Sequence, residues 1–375
     1  ASAIGVSSFD NTGTVSVTAN TLTLSTGGTD TGDYVVSSGA TLTFSGGTRD
    51  LNSGVSISGA GTFSNAGSTV NVNTGSAITT TNISQSSGTT TFSTGGAVNI
   101  SNLTISGGTL TASDNLTITS GMTFTVGTIS GTGTLTTNSG TTTAVGSGNY
   151  TYLSNKIWDN YGTVNFVGAG GVDFRINSSA VFNNKSGANL NLNNTSTNSH
   201  IETSSGTGTF NNAGTVTQSG TNSTISVSSV NNTGTVSVTG GTLTLSTAGT
   251  DTGNYALSSG TTLIFTGGTR TMNGVSITGS GTANLNGGIV TASGDVSISN
   301  LSITDSNSYL TGTGNVTITS SMTFPRGSLY GSGTLTTNPG TTTTLGSGNY
   351  AYLSGKTWDN YGTVNFVGAG GVDFR

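Results

Sequence analysis

Residues 140–175 return as residues 340–375 with 31 of 36 positions unchanged. An earlier pair, Thr12–Arg49 and Thr233–Arg270, also aligns. A long unit used in tandem restricts the fold more than any motif, because each copy must be able to build on the one before it. The offset between the copies is not constant. Gly59 aligns with Gly279, but Asn102 aligns with Asn300, so the copies are more closely spaced after this stretch than before it. The second copy therefore lacks a segment present between Phe63 and Asn102 of the first, and homology resumes cleanly. Such a loss would wreck a globular core. In a solenoid it removes one turn and leaves the neighbours in register.

Between turn signals the chain alternates with period two. Thr14-Val15-Ser16-Val17, Thr21-Leu22-Thr23-Leu24 and Thr41-Leu42-Thr43-Phe44 each send apolar residues to one face and Thr or Ser to the other. No useful helical period is present. An apolar-x-Asn-x-Gly phrase recurs at Phe9/Asn11/Gly13, Phe63/Asn65/Gly67, Trp158/Asn160/Gly162, Phe210/Asn212/Gly214, Val230/Asn232/Gly234 and Trp358/Asn360/Gly362. The apolar residue is expected inside. The asparagine is expected to accept a left-handed backbone and to bond its neighbour in the next turn, and the glycine to relieve a corner. The fold expected is all-β, a single-stranded right-handed parallel β-helix with roughly 20 residues and about three short strands per coil. That gives about 18–19 coils over roughly 90 Å. Residues 1–221 form the first copy and 222–375 a truncated second copy of one continuous solenoid. A propeller would need blades of roughly 40–50 residues with their own signatures, and a sandwich would not tolerate the deletion.

Hydrophobic residues make up 31% and charged residues 6% of the chain, with net charge −5. Disordered chains of low hydrophobicity carry more charge than this. Nucleic-acid binding is not expected, because no basic cluster is present to neutralise phosphate. Membrane insertion of this segment is not expected either, since no apolar run is long enough. With no cysteine there is neither a disulfide framework nor a thiolate metal site. The chain begins and stops inside its own running pattern, which reads as a section of a longer repetitive protein.

Candidate chemistry is sparse. His200 and Glu202, the one histidine and the one glutamate, share a strand face but have no third partner for acid–base work. Asp30 and Asp33 offer too few oxygens for calcium and read as exposed acids in a turn. Asp173 and Arg175 read as a same-face ion pair worth at most about 1 kcal/mol. No catalysis, metal or cofactor is expected. Tyr150 and Tyr152, repeated as Tyr350 and Tyr352, share a face and could stack on sugar rings, whereas Trp158 reads as core. Thr-x-Thr phrases such as Thr109-Leu110-Thr111 raise an ice-binding reading, but their spacing along the sequence drifts.

The run Asn231-Asn232-Thr233-Gly234-Thr235-Val236, followed by Gly241-Thr242-Leu243-Thr244-Leu245 and Gly281-Thr282, resembles the repeat regions of giant secreted bacterial surface proteins. These are the filamentous-haemagglutinin-like and autotransporter-type adhesins. The resemblance implies an extracellular, cell-surface stalk or fibre that supplies length and stiffness. Its partners would be neighbouring repeats, further copies of itself through end-to-end or lateral assembly, and surface glycans. A glycan-binding strip and an ice-binding solenoid are the alternative functions.

Overall fold

The computed structural model describes residues 1–146, 150–167, 171–193, 199–346, 351–368 and 372–374. The chain is all-β, without helix, and its parallel strands stack as a β-solenoid of about 17 turns with ~21 residues per turn. Turn length is not constant. The turn from Val98 to its partner Leu116 is short, whereas the turn from Asn189 to its partner Thr215 is markedly longer. The longer turns are the reason the count falls below the 18–19 expected from a uniform length of about 20.

Two compact units divide the chain. Unit 1 comprises 1–183 with 204–207, and unit 2 comprises 184–203 with 208–375. These boundaries do not coincide with the junction of the sequence copies at 221/222.

In unit 1 the strand Thr62–Val72 pairs with Asn82–Phe92, and Asn82–Phe92 pairs with Val98–Ile105. Phe63 is thus opposite Ile83, and Ile83 opposite Leu103. In unit 2 the counterpart strand Thr282–Leu285 pairs directly with Val296–Ile303, which puts Ala283 opposite Leu301. The segment missing from the second copy is one turn, and the turns on either side have closed up in register.

Alternation fixes what is inside. Leu42, Phe63, Leu103 and Met122 occupy one inward column of unit 1, with Ile83 between Phe63 and Leu103, and all are buried. Each large side chain so buried stabilises by roughly 1.5–3 kcal/mol. Trp158 is also core: its ring meets Phe182 at 4.9 Å and Phe174 at 5.8 Å, and its Nε1 donates to Thr137 Oγ1 at 3.1 Å.

The corner asparagines work through their side chains. Asn160 Oδ1 accepts from Gly162 N at 3.1 Å and from Thr137 Oγ1 at 2.8 Å. Asn65 Oδ1 accepts from Gly67 N and Ser68 N, and Asn11 Oδ1 from Gly13 N. In unit 2, Asn184 Nδ2 donates to Asn212 Oδ1 and Asn212 Nδ2 to Asn232 Oδ1, each at 2.8 Å, a ladder over three turns. Asn360 repeats the bond to Gly362 N at 3.2 Å.

The expected left-handed backbone at these asparagines is not found. Among the described residues, positive φ outside glycine occurs at Asn20, Asn155, Ser178 and Ser179. Gly13, Gly162, Gly214, Gly234 and Gly362 do not have positive φ either. Gly162 and Gly234 serve by lacking a Cβ, which would stand 2.2 Å from Thr141 O and 2.1 Å from Gly214 O respectively. Backbone of one turn rests against backbone of the turn before it, and Gly214 and Gly362 are crowded in the same way.

Candidate functional site

The outer face that carries Tyr152 is built by strict register. In unit 1, Thr48, Thr69, Thr89, Thr109, Thr128, Tyr152 and Arg175 succeed one another in a single column. A second column, displaced by one alternation along the strands, runs Asp50, Asn71, Thr91, Thr111, Ser130, Ser154 and Asn177. The Thr-x-Thr phrases that drift along the sequence are therefore aligned here, because turn lengths vary while register is kept.

Tyr150 and Tyr152 stand on this face with ring centroids 6.2 Å apart. Tyr150 is 45% exposed. The Arg175 guanidinium lies 3.7 Å from the Tyr150 ring centroid, and its Nη1 donates to the Tyr152 hydroxyl at 3.3 Å. A guanidinium so placed is held by the ring quadrupole. Any sugar stacking on Tyr150 shares that ring with Arg175. In the second copy Tyr352 lies opposite Asp373, while Tyr350 and Arg375 lie outside the described residues.

Unit 2 differs on this face. Its column reads Thr269, Ile289, Tyr309, Ser328 and Tyr352, and Tyr330 follows Ser328 on the same side of its strand. Sequence alone does not single out Tyr309 and Tyr330. Alternation around Leu310 and Leu329 turns both outward, but only register brings them together.

Charged residues lie inside both copies. Arg49 and Asp30 are fully buried in unit 1, with Arg49 Nη1 3.5 Å from Asp30 Oδ2. Arg49 also rests on Phe44, 4.9 Å from its ring centroid, and donates to Phe9 O. Asp30 Oδ2 accepts from Tyr34 Oη at 2.9 Å and its Oδ1 from Asn11 N at 2.9 Å. Burial pushes the Asp30 carboxyl up from its usual range, against the Asn11 N–H, Arg49 and Tyr34, which favour the anion. In unit 2, Arg270 Nε donates to Asp251 Oδ2 at 2.9 Å and Nη2 to Val230 O at 3.2 Å.

The reading of Asp30 as an exposed acid is thus corrected: it faces inward to Arg49. Asp33 faces the other way and accepts from Ser56 N and Oγ, each at 2.8 Å, which holds its carboxyl below the usual range. The two carboxylates do not converge.

Lys156 is a further buried cation. Its Nζ donates to Ala112 O at 3.0 Å, and burial pushes its pKa down to about 8. Lys356 donates to Gly333 O at 3.3 Å and is lowered for the same reason. His200 and Glu202 lie on the outward side of the strand Ser199–Glu202, opposite Thr224 and Ser226 of the next turn. Among the described residues, no three His, Asp or Glu side chains gather to hold a metal ion.

Comparison with known proteins returns no match: no family model, no curated protein and no solved structure. Among the described residues, no helix is long and apolar enough to cross a membrane.

Proposed function

We propose that this chain is a structural repeat segment of a secreted bacterial surface fibre or adhesin, supplying length and stiffness. The observation that carries the reading is the clean loss of one turn between the copies, seen in the direct pairing of Ala283 with Leu301. A protein whose function resides in one constellation of side chains loses it when a turn is cut out. A structural repeat keeps its cross-section and changes only its number of turns.

A further observation supports it. The outer columns are mainly Thr, Ser and Asn with few charges, a neutral surface that many successive turns can share. Its partners are neighbouring repeats, at the cell surface.

The test is localisation. Antibody raised against this chain should label filaments on intact, unpermeabilised cells that produce it. Label that appears only after lysis contradicts the proposal.

A further inference from the structure

One outer face of unit 2 carries aromatic rings on three turns. Tyr309 lies opposite Ser328, Ser328 opposite Tyr352, and Tyr330 opposite Ser354. Ile289, one turn earlier, lies opposite Tyr309. The inward neighbours Val290, Leu310, Leu329 and Leu353 are buried, so period two sends Ile289 and the three tyrosines outward. Tyr330 is 40% exposed, and Ile289, Tyr309 and Tyr352 are half-buried. The Tyr309 and Tyr330 rings stand 5.7 Å apart at 82°, two walls of a corner. Ser328 and Ser354, both half-buried, are set among them.

The first copy has Thr109 and Ser130 where the second has Tyr309 and Tyr330, and Thr89 holds the register position of Ile289. The same turns are thus built without the rings, and the fold does not require them. The second copy has exchanged small hydroxylated side chains for rings on one outward face while keeping the surrounding phrases.

We propose that Tyr309, Tyr330 and Tyr352 form a stacking strip for a linear, uncharged glycan. Ring faces take up the apolar C–H faces of pyranose rings, and the flanking hydroxyls serve the sugar hydroxyls. Rings on successive turns, about 4.8 Å apart along the stack, suit a ligand made of repeated units. A single-stranded nucleic acid also stacks on aromatics, but it needs a cationic groove, and this chain carries −5. A protein partner needs about 800 Å² on each side, more than a strip of four side chains provides. The strip is independent of the fibre role.

The test uses the full chain with cellohexaose, laminarihexaose and chitohexaose, titrated by calorimetry and followed by tyrosine fluorescence. The critical variant is Tyr309→Thr with Tyr330→Ser, which restores the residues of the first copy. Wild type should bind at least one hexasaccharide saturably, and the double variant should bind it about tenfold or more weakly with an unchanged melting temperature. Should the double variant melt early, Tyr330→Ser alone, at the most exposed ring, must still weaken binding. Equal affinity in the folded variants, or no saturable binding of any of the three sugars by wild type, overturns the proposal. Preference for a single-stranded oligonucleotide or for a sulfated glycan overturns it as well.

Discussion

Ala283 pairs directly with Leu301, whereas their counterparts Phe63 and Leu103 are separated by the turn that carries Ile83. One chain thus holds both versions of the same stretch, with and without a turn, and both are in register. The inward column changes content, from Phe63 to Ala283, but not direction. What the two copies share is the geometry of a rung: inward apolar residues, an asparagine corner, and glycine where two backbones touch.

Glycine at the corner is a steric requirement. Gly234→Ala places a methyl group 2.1 Å from Gly214 O, and backbone on both sides has little room to yield. We expect a loss of about 2–3 kcal/mol, read from the denaturant midpoint. Gly13→Ala meets nothing within 4 Å and should change stability by less than about 0.5 kcal/mol. Equal effects at the two positions would show that the close approach is not what selects glycine.

The asparagine ladder binds successive turns. Asn212 accepts from Asn184 and donates to Asn232 and to Thr235 O, all within unit 2. Asn212→Ala leaves these buried groups without their partner and should cost about 2–3 kcal/mol. Asn315→Ala, whose exposed side chain donates to Asp295 and accepts from Thr334 N, should cost less than about 1 kcal/mol. Thermal melts of the two variants against the parent check the difference.

Lys156 makes stability depend on pH in a stated direction. Burial lowers its folded pKa to about 8, below the unfolded value of 10.5. Below pH 8 both states hold the proton, and the fold bears the cost of a buried cation. Between about 8 and 10.5 the unfolded state holds more protons, so stability rises with pH. Urea midpoints of wild type relative to Lys156→Met should therefore rise across that window. A flat or falling difference would mean that the ammonium is solvated.

Much of the fold is legible in the sequence because the deletion and the period-two pattern report on the same geometry. Leu42, Phe63 and Trp158 are inside, as alternation and the corner phrase require. The same alternation, read strictly, also places Arg49 inward, since Arg49 and Leu51 fall on one side of the strand Thr48–Leu51. Charge argues for exposure, and the ion pair with Asp30 and the stacking on Phe44 overcome it. The asparagine backbone departs from expectation for a related reason. Asparagine is a turn former through either its backbone or its side chain, and here the side chain makes the turn by accepting from Gly162 N. The tyrosine strip lies beyond sequence reading. Tyr309 and Tyr330 belong to successive turns, but turns differ in length, as the Val98/Leu116 and Asn189/Thr215 pairs show, so only pairing reveals which residues share a face.

The rung itself is tested most directly by cutting one out. Asn82 lies opposite Thr62, so removing residues 62–81 deletes one turn and sets Asn82 in the place of Thr62. Removing residues 62–71 instead deletes about half a turn and destroys the register that follows. The measurement is cooperative thermal unfolding followed by far-ultraviolet circular dichroism. The whole-turn deletion should keep the β spectrum and a single cooperative melt close to that of the parent, while the half-turn deletion should lose both. Equal damage from the two deletions would contradict a fold built of interchangeable turns.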